Sequence, residues 1–199
     1  MAEFYRKRLP HWQPPEGTFF ITYRLAGSIP MEKIRQFKKM PERKIFKSSN
    51  LLRNAWYFRC SDRFLDANPN EPYWLAKKEI AGIVFQSLLF NNGKQYDLHA
   101  FCIMSNHVHV LLTARKGAPQ LFRMMQTHKS YTAVMSNRIL GRSGKFWELE
   151  SYDHLVRNNL SFQRILRYIL NNPVKARLVQ RWQDWPNSWV SPELERIAR

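Results

Sequence analysis

Apolar and polar residues alternate through Thr18–Leu25 (TFFITYRL). Phe19, Ile21, Tyr23 and Leu25 fall on one side and Thr18, Thr22 and Arg24 on the other, between glycines at 17 and 27. A period of two predicts a first strand. The period is lost over residues 31–71, which are polar and basic. They read as one or two short helices in an excursion that closes at the turn-rich Asn68-Pro69-Asn70-Glu71-Pro72. From Tyr73 to Asn91, Leu75, Ile80, Ile83, Val84, Ser87 and Leu88 make a helical stripe, stopped by Asn91-Asn92-Gly93. Tyr96–Met104 predicts a second strand, and Ser105-Asn106 a short reversal into a third that begins at His107, so the two form a hairpin.

The clearest helix runs from Gln120 to Leu140. Leu121, Met124, Met125, His128, Thr132, Met135 and Ile139 form one continuous stripe, Tyr131 lies on it or at its edge, and Gly141 ends it. Phe146–Arg157 supplies a last strand. Ser161–Leu170 (SFQRILRYIL) is a capped helix ended by Asn171-Asn172-Pro173. Strand, helix, hairpin, helix, strand is the order of a ferredoxin-like antiparallel sheet with packed helices, an α+β fold. The length suits a single domain over 1–199, with the helical excursion at about 31–71 and a C-terminal extension at about 177–199.

Charge changes this picture from a fold to a partner. Lys and Arg number 32 against 15 Asp and Glu, a net charge of +17, and the basic clusters are spread along the chain. That imbalance calls for a polyanion. Aromatic residues, 14% of the chain, are interleaved with the cations, which is the chemistry of single-stranded or looped nucleic acid: cations for phosphates, ring faces for unstacked bases. Met1–Pro10 is charged with no apolar stretch behind it, and the longest apolar run, Ile80–Phe90, is short and broken by Gln86. These features predict a cytoplasmic, nucleoid-associated protein with no membrane partner. Two cysteines, Cys60 and Cys102, are too few for a disulfide framework or a Cys-rich zinc site.

The hairpin also carries candidate chemistry. In His107-Val108-His109, strand parity puts both imidazoles on one face with Leu111, while Val108, Val110 and Leu112 line the other. Two imidazoles on one face can share a divalent cation and leave its other positions open to substrate oxygens. A His-x-His pair is common in ordinary strands, and a tyrosine on a helical stripe is commonly core, so neither feature is specific alone.

Taken jointly, several segments resemble one family. Lys7–Trp12 (KRLPHW), Phe20–Leu25 (FITYRL), Tyr96–Leu112 (YDLHAFCIMSNHVHVLL), Lys129–Ala133 (KSYTA), Gly141–Trp147 (GRSGKFW), Asp153–Arg157 (DHLVR) and Tyr168–Ala176 (YILNNPVKA) occur in the order seen in the REP-associated tyrosine transposases, a branch of the single-tyrosine HUH transposase superfamily. Ser105 departs from the proline usual before the Asn-His, a change in turn rigidity more than in chemistry. The resemblance implies that His107 and His109 bind metal and that a helical tyrosine, assigned here to Tyr131, is the nucleophile. It also implies a third ligand, often a carboxamide one turn after the tyrosine. Position 135 is Met, a poor ligand for a hard cation, so His128 is taken as the substitute, with Asn137 and Gln126 as alternatives. Histidine and oxygen ligands with a phosphate substrate favour Mg²⁺ or Mn²⁺. Asp153, His154, Asn171, Asn172 and Pro173 read as supporting structure.

The function so implied is a metal-dependent transposase and endonuclease that nicks and rejoins single-stranded DNA at palindromic repeat hairpins through a 5′-phosphotyrosine intermediate. It would act as a monomer or homodimer, with Arg24, Asn106, Lys129 and Arg138 on the DNA. Because the phosphotyrosine link conserves the phosphodiester's energy, rejoining needs no nucleotide hydrolysis. Gly141-Arg142-Ser143-Gly144-Lys145 accordingly lacks Walker spacing. A non-catalytic, domesticated DNA-binding protein of the same fold and an RNA-binding protein are the alternative readings.

Overall fold

The computed structural model describes residues 4–6, 10–39, 50–67 and 72–197. Two three-residue strands, β1 (Phe4–Arg6) and β2 (Pro10–Trp12), pair with each other. The main sheet is built from β3 (Thr18–Arg24), β4 (Tyr96–Ile103), β5 (His107–Ala114), β6 (Tyr152–Leu155) and β7 (Ser188–Val190). Its order is β6-β3-β5-β4-β7, and every pairing is antiparallel. Without β7, this is the ferredoxin-like order expected from the alternation of elements. Phe146–Arg157 gives less strand than its pattern suggests, because only Tyr152–Leu155 pairs with β3, while Trp147 makes an isolated bridge to Leu25.

The helices are α1 (Met31–Lys38), α2 (Asn50–Ala67), α3 (Lys78–Phe90), α4 (Leu121–Ile139), α5 (Asn159–Leu170) and the single turn α6 (Asn172–Lys175). Asn158 caps α5 by accepting from the Ser161 amide at 2.8 Å, so that helix begins two residues before the predicted start. Pro173 in the first turn of α6 is tolerated because its missing N–H would be unsatisfied there in any case.

Strand parity divides the interior into two cores. On one face Phe19, Ile21, Tyr23, Val108, Val110 and Leu112 meet α3 and α4 through Ile80, Val84, Leu88, Leu121, Met124 and Met125. On the other face Phe20, Ala100, Cys102 and Leu111 meet α5 through Leu166, Ile169 and Leu170, with Phe58 of α2 packed against them. His107 and His109 belong to this second face, in phase with Leu111. The stripe on α4 does face the sheet, but it covers the side opposite the histidines. That one fact decides which side chains can join the site.

Candidate metal and tyrosine centre

Four elements converge on the histidine face. β5 brings His107 and His109, α2 brings Asp62 and Asp66, α5 brings Tyr168, and α6 brings Asn172 and Lys175. Both histidines are fully buried, and their Nε2 atoms lie 3.0 Å apart. Asn106 orients the first ring. Its Nδ2 donates to the Leu65 carbonyl at 3.1 Å, which leaves Oδ1 to accept from His107 Nδ1 at 2.7 Å. The proton on His107 is thereby fixed at Nδ1, and the Nε2 lone pair is free for a ligand. His109 Nδ1 lies 2.7 Å from Thr22 Oγ1, a partner that β3 supplies because Thr22 stands opposite His109 in the register.

Two imidazole lone pairs cannot rest that close unless a proton or cation lies between them. Burial first, then the charges of His109 and Lys175, pushes the His107 pKa down to about 3, although Asp62 opposes the shift. His107 is therefore neutral near pH 7, and its 3.8 Å approach to Asp66 is no ion pair at that pH.

Asp62 closes the group. Its Oδ1 is 3.3 Å from His109 Nε2, and one ligand atom from each of Asp62, His107 and His109 falls within a 4.8 Å span. Burial acts to raise the Asp62 pKa, but the hydrogen bond and charge of His109, the charge of His107 and the bond from Tyr168 outweigh it, so the carboxylate stays ionised well below its usual range. Burial and the neighbouring Asp62 charge raise Asp66 instead, with Lys175 opposing. Lys175 Nζ bridges the two carboxylates, at 2.7 Å from Asp66 Oδ2 and 3.3 Å from Asp62 Oδ2. Asp66 Oδ1 and Asn172 Oδ1 are buried without a hydrogen-bond partner, and Asp62 Oδ1 has only the approach of His109. Unpaired buried oxygens are costly, and the Asp62 carboxylate beside two imidazole nitrogens fits a divalent cation with nitrogen and oxygen ligands.

Tyr168 completes the centre. Its hydroxyl donates to Asp62 Oδ2, and its ring stands edge-on to His109 with centroids 5.5 Å apart. Burial, then the charge of Asp62 and the hydrogen bond to it, holds the phenol far above its usual pKa, while the Asn172 side chain acts in the opposite sense. Phe20 stacks on His109 at 5.8 Å, so the imidazole sits between aromatic walls.

The residues read from the sequence divide sharply. His107 and His109 come together as parity requires. His128 does not join them. It is buried on the other face, where Nε2 meets Tyr23 Oη at 2.7 Å and Nδ1 meets Ser87 Oγ at 2.8 Å, and burial followed by the Lys129 charge pushes its pKa down to about 3. Tyr131 is 53% exposed on α4, across the sheet from the histidines, and lies off the buried stripe. Gln126 and Asn137 belong to the same helix, and Asn137 is engaged with Gly144 and Arg142.

The expected DNA contacts fare differently from one another. Asn106 is buried and spends both ends of its carboxamide on Leu65 and His107. Lys129 Nζ donates to the carbonyls of Glu148 and Leu149 and to Ser151 Oγ, so it anchors the loop before β6. Arg24 is mostly buried, 3.5 Å from Glu148, and Arg138 stands exposed on α4.

Asp62, Tyr168 and Lys175 were not singled out from the sequence, and Asn172 read there only as supporting structure. The available signals were the i,i+4 carboxylates Asp62 and Asp66 on one helix face and the tyrosine inside Tyr168–Ala176. Asn172 is the carboxamide one turn after a tyrosine that position 135 fails to provide after Tyr131.

Comparison with known proteins agrees with this frame. Residues 84–172 match the family model of IS200-like transposases, a segment that contains both histidines, Tyr168 and Asn172 but not Asp62. A Haemophilus influenzae relative named for the REP-associated tyrosine transposases is 26% identical over 102 residues, covering 47% of this chain and 58% of the relative. The REP-associated tyrosine transposase of Escherichia coli K12 is 23% identical over 104 residues, 52% of this chain and 59% of that protein. The chain thus spans under two thirds of the length of these curated relatives. A solved REP-associated tyrosine transposase bound to a REP hairpin shares the fold, with a TM-score of 0.53 at 18% identity over 94% of this chain and 82% of the other. The chain is similar to the REP-associated tyrosine transposases, and its residues 84–172 match the IS200-like transposase model.

Proposed function

We propose that the protein nicks and rejoins single-stranded DNA beside a hairpin, with Tyr168 as nucleophile and His107, His109 and Asp62 holding Mg²⁺ or Mn²⁺. The observation that carries this reading is the direct chain from the Tyr168 hydroxyl to Asp62 and from Asp62 to His109 Nε2. Tyr131 has no such path, being exposed on the opposite side of the sheet. The family likeness and the solved relative on a REP hairpin support DNA of that kind as substrate.

Each residue of the centre then has a physical task. His107 and His109 offer their Nε2 atoms as ligands, with the His107 proton held away on Nδ1 by Asn106. His107, His109 and Asp62 would hold a divalent cation, which would supply Lewis-acid stabilisation of the charge on the scissile phosphate. Tyr168 is held protonated by its surroundings until a phosphodiester arrives, and Asp62 Oδ2 accepts its hydrogen bond and so aims the phenol oxygen. In the step itself the tyrosine oxygen forms a bond to phosphorus and the bond from phosphorus to the 3′ oxygen breaks. The leaving oxygen takes up a proton and departs as a hydroxyl, and the DNA stays joined to the protein through a 5′-phosphotyrosine. Attack by another 3′ hydroxyl reverses these bonds. Lys175, about half exposed, contributes positive charge where the strand approaches.

The test is cleavage of an end-labelled stem-loop with a single-stranded flank in Mn²⁺ or Mg²⁺. Wild type is expected to cut in the flank, and His107→Ala and Asp62→Ala each to lose cutting and Mn²⁺ binding together. Cutting that survives in EDTA, or in both variants, overturns the proposal.

A further inference from the structure

A second feature opens directly from the metal cluster. α1, α2, β3 and the segment before β6 enclose a cleft of about 460 Å³, lined by Asp62 and Thr22 among others. Both of those residues also contact His109, so cleft and cluster are contiguous. The volume lies in the range of small-molecule and cofactor sites. Its walls carry three half-buried rings, Phe37, Tyr57 and Phe58. Phe58 is braced by stacking on Tyr152, with centroids 4.3 Å apart and planes 22° from parallel.

The polar groups in the cleft suit a planar, uncharged ligand better than a phosphate. Four cations, Arg24, Lys38, Arg53 and Lys145, line it against three carboxylates, Asp62, Glu148 and Glu150, so the charges largely cancel, and Arg24 and Glu148, 3.5 Å apart, offer donors beside acceptors. Asn54 adds a carboxamide with both capacities. Ser61 is only 8% exposed and lines the cleft, and its hydroxyl has no hydrogen-bond partner. Aromatic walls with a few mixed donors and acceptors are what an extruded nucleobase requires, since it is held by stacking and read along its edge.

We infer that this cleft takes one unpaired base of the DNA strand, flipped out next to the scissile phosphodiester, and so sets the sequence at which the strand is cut. The inference rests on the strand-cutting reading above and adds the subsite that selects position. α1 and α2, which line the cleft, lie before residue 84, outside the segment matched by the family model.

The test uses the full chain and a stem-loop with an unpaired flank, in which an abasic site is walked one nucleotide at a time. Binding is followed by fluorescence anisotropy, with 2-aminopurine at each position as an independent reporter. In wild type a single flank position should weaken binding about tenfold or more when its base is removed, the scale of one stacked base. 2-Aminopurine emission should change most at that position. Asn54→Ala and Tyr57→Leu should bind intact DNA as wild type binds the abasic DNA, should show no further loss on abasic DNA, and should bind Mn²⁺ as wild type does. Asn54→Ala guards against a folding defect in the tyrosine variant. A flat profile in wild type, or the same sensitive position at full size in both variants, overturns the inference. Adduct formation with a flat profile rejects the base pocket and keeps the strand-cutting reading. A sharp profile without any adduct keeps the pocket and rejects the chemistry.

Discussion

His128→Gln separates the two roles that a buried histidine on α4 can have. In the structure His128 bridges Tyr23 and Ser87 on the face opposite the cluster, with its pKa pushed down to about 3. The folded protein therefore keeps it neutral, while the unfolded chain takes up a proton below about pH 6.5. The stability this provides is complete above pH 6.5 and is lost as the pH falls toward 3. At pH 5 the loss is about 2 kcal/mol for this one side chain, from 1.5 pH units at about 1.4 kcal/mol each. His107, equally depressed in the metal-free protein, adds a similar amount. Glutamine cannot titrate and satisfies only part of the Tyr23 and Ser87 pairing, so the variant should be about 1 to 3 kcal/mol less stable at pH 8. Between pH 8 and pH 5 it should then lose about 2 kcal/mol less than wild type. Urea unfolding followed by tryptophan fluorescence in EDTA at pH 8, 6 and 5 measures both quantities, and calorimetric titration at pH 7.5 should give unchanged Mn²⁺ affinity. An unaltered pH dependence, or loss of Mn²⁺ binding by a folded variant, would refute the placement of His128.

Three further outcomes follow from the same geometry. Asn106→Ala frees the His107 ring to adopt the other tautomer, and Mn²⁺ affinity measured by calorimetry should fall about 10- to 100-fold, the usual effect of removing a group that orients a metal-binding histidine. Lys129→Met removes the tether of the 148–151 loop rather than a phosphate contact, so the salt dependence of DNA affinity should stay the same while proteolysis within that loop accelerates. In wild type, log affinity for single-stranded DNA should fall with log salt at about −0.7 per phosphate contact, and a stem-loop with a flank should still exceed a blunt duplex and an unstructured strand at elevated salt. Equal binding of all three DNAs there would leave only a generic polyanion binder.

The fold was legible because each strand of the central sheet carries its own period. Thr18–Leu25 alternates cleanly, and the parity of His107 and His109 with Leu111 needs no tertiary information. The stripe on α4 was equally legible, but a stripe states that a face is buried and not which side of a sheet it covers. Placing α4 on the histidine face brought in Tyr131 and His128, whereas α5 holds that position and carries Tyr168. Asp62 was hidden for another reason. It lies in a basic excursion with no strand period, and its approach to His109 depends on α2 folding back over the sheet, a long-range contact that local pattern does not encode. Asn172 read as part of a helix stop, but Asn171 is the cap and Asn172 opens α6, one turn beyond the tyrosine.

The most direct test of the account is to map the covalent bond. The protein is incubated with a flanked stem-loop in Mn²⁺, the denaturation-resistant adduct is isolated, and the nucleotide-bearing peptide is sequenced by mass spectrometry for wild type, Tyr168→Phe and Tyr131→Phe. The account predicts phosphotyrosine at Tyr168 in wild type and in Tyr131→Phe, and no adduct in Tyr168→Phe although it still binds the DNA. A nucleotide on Tyr131, or an undiminished adduct in Tyr168→Phe, would contradict it.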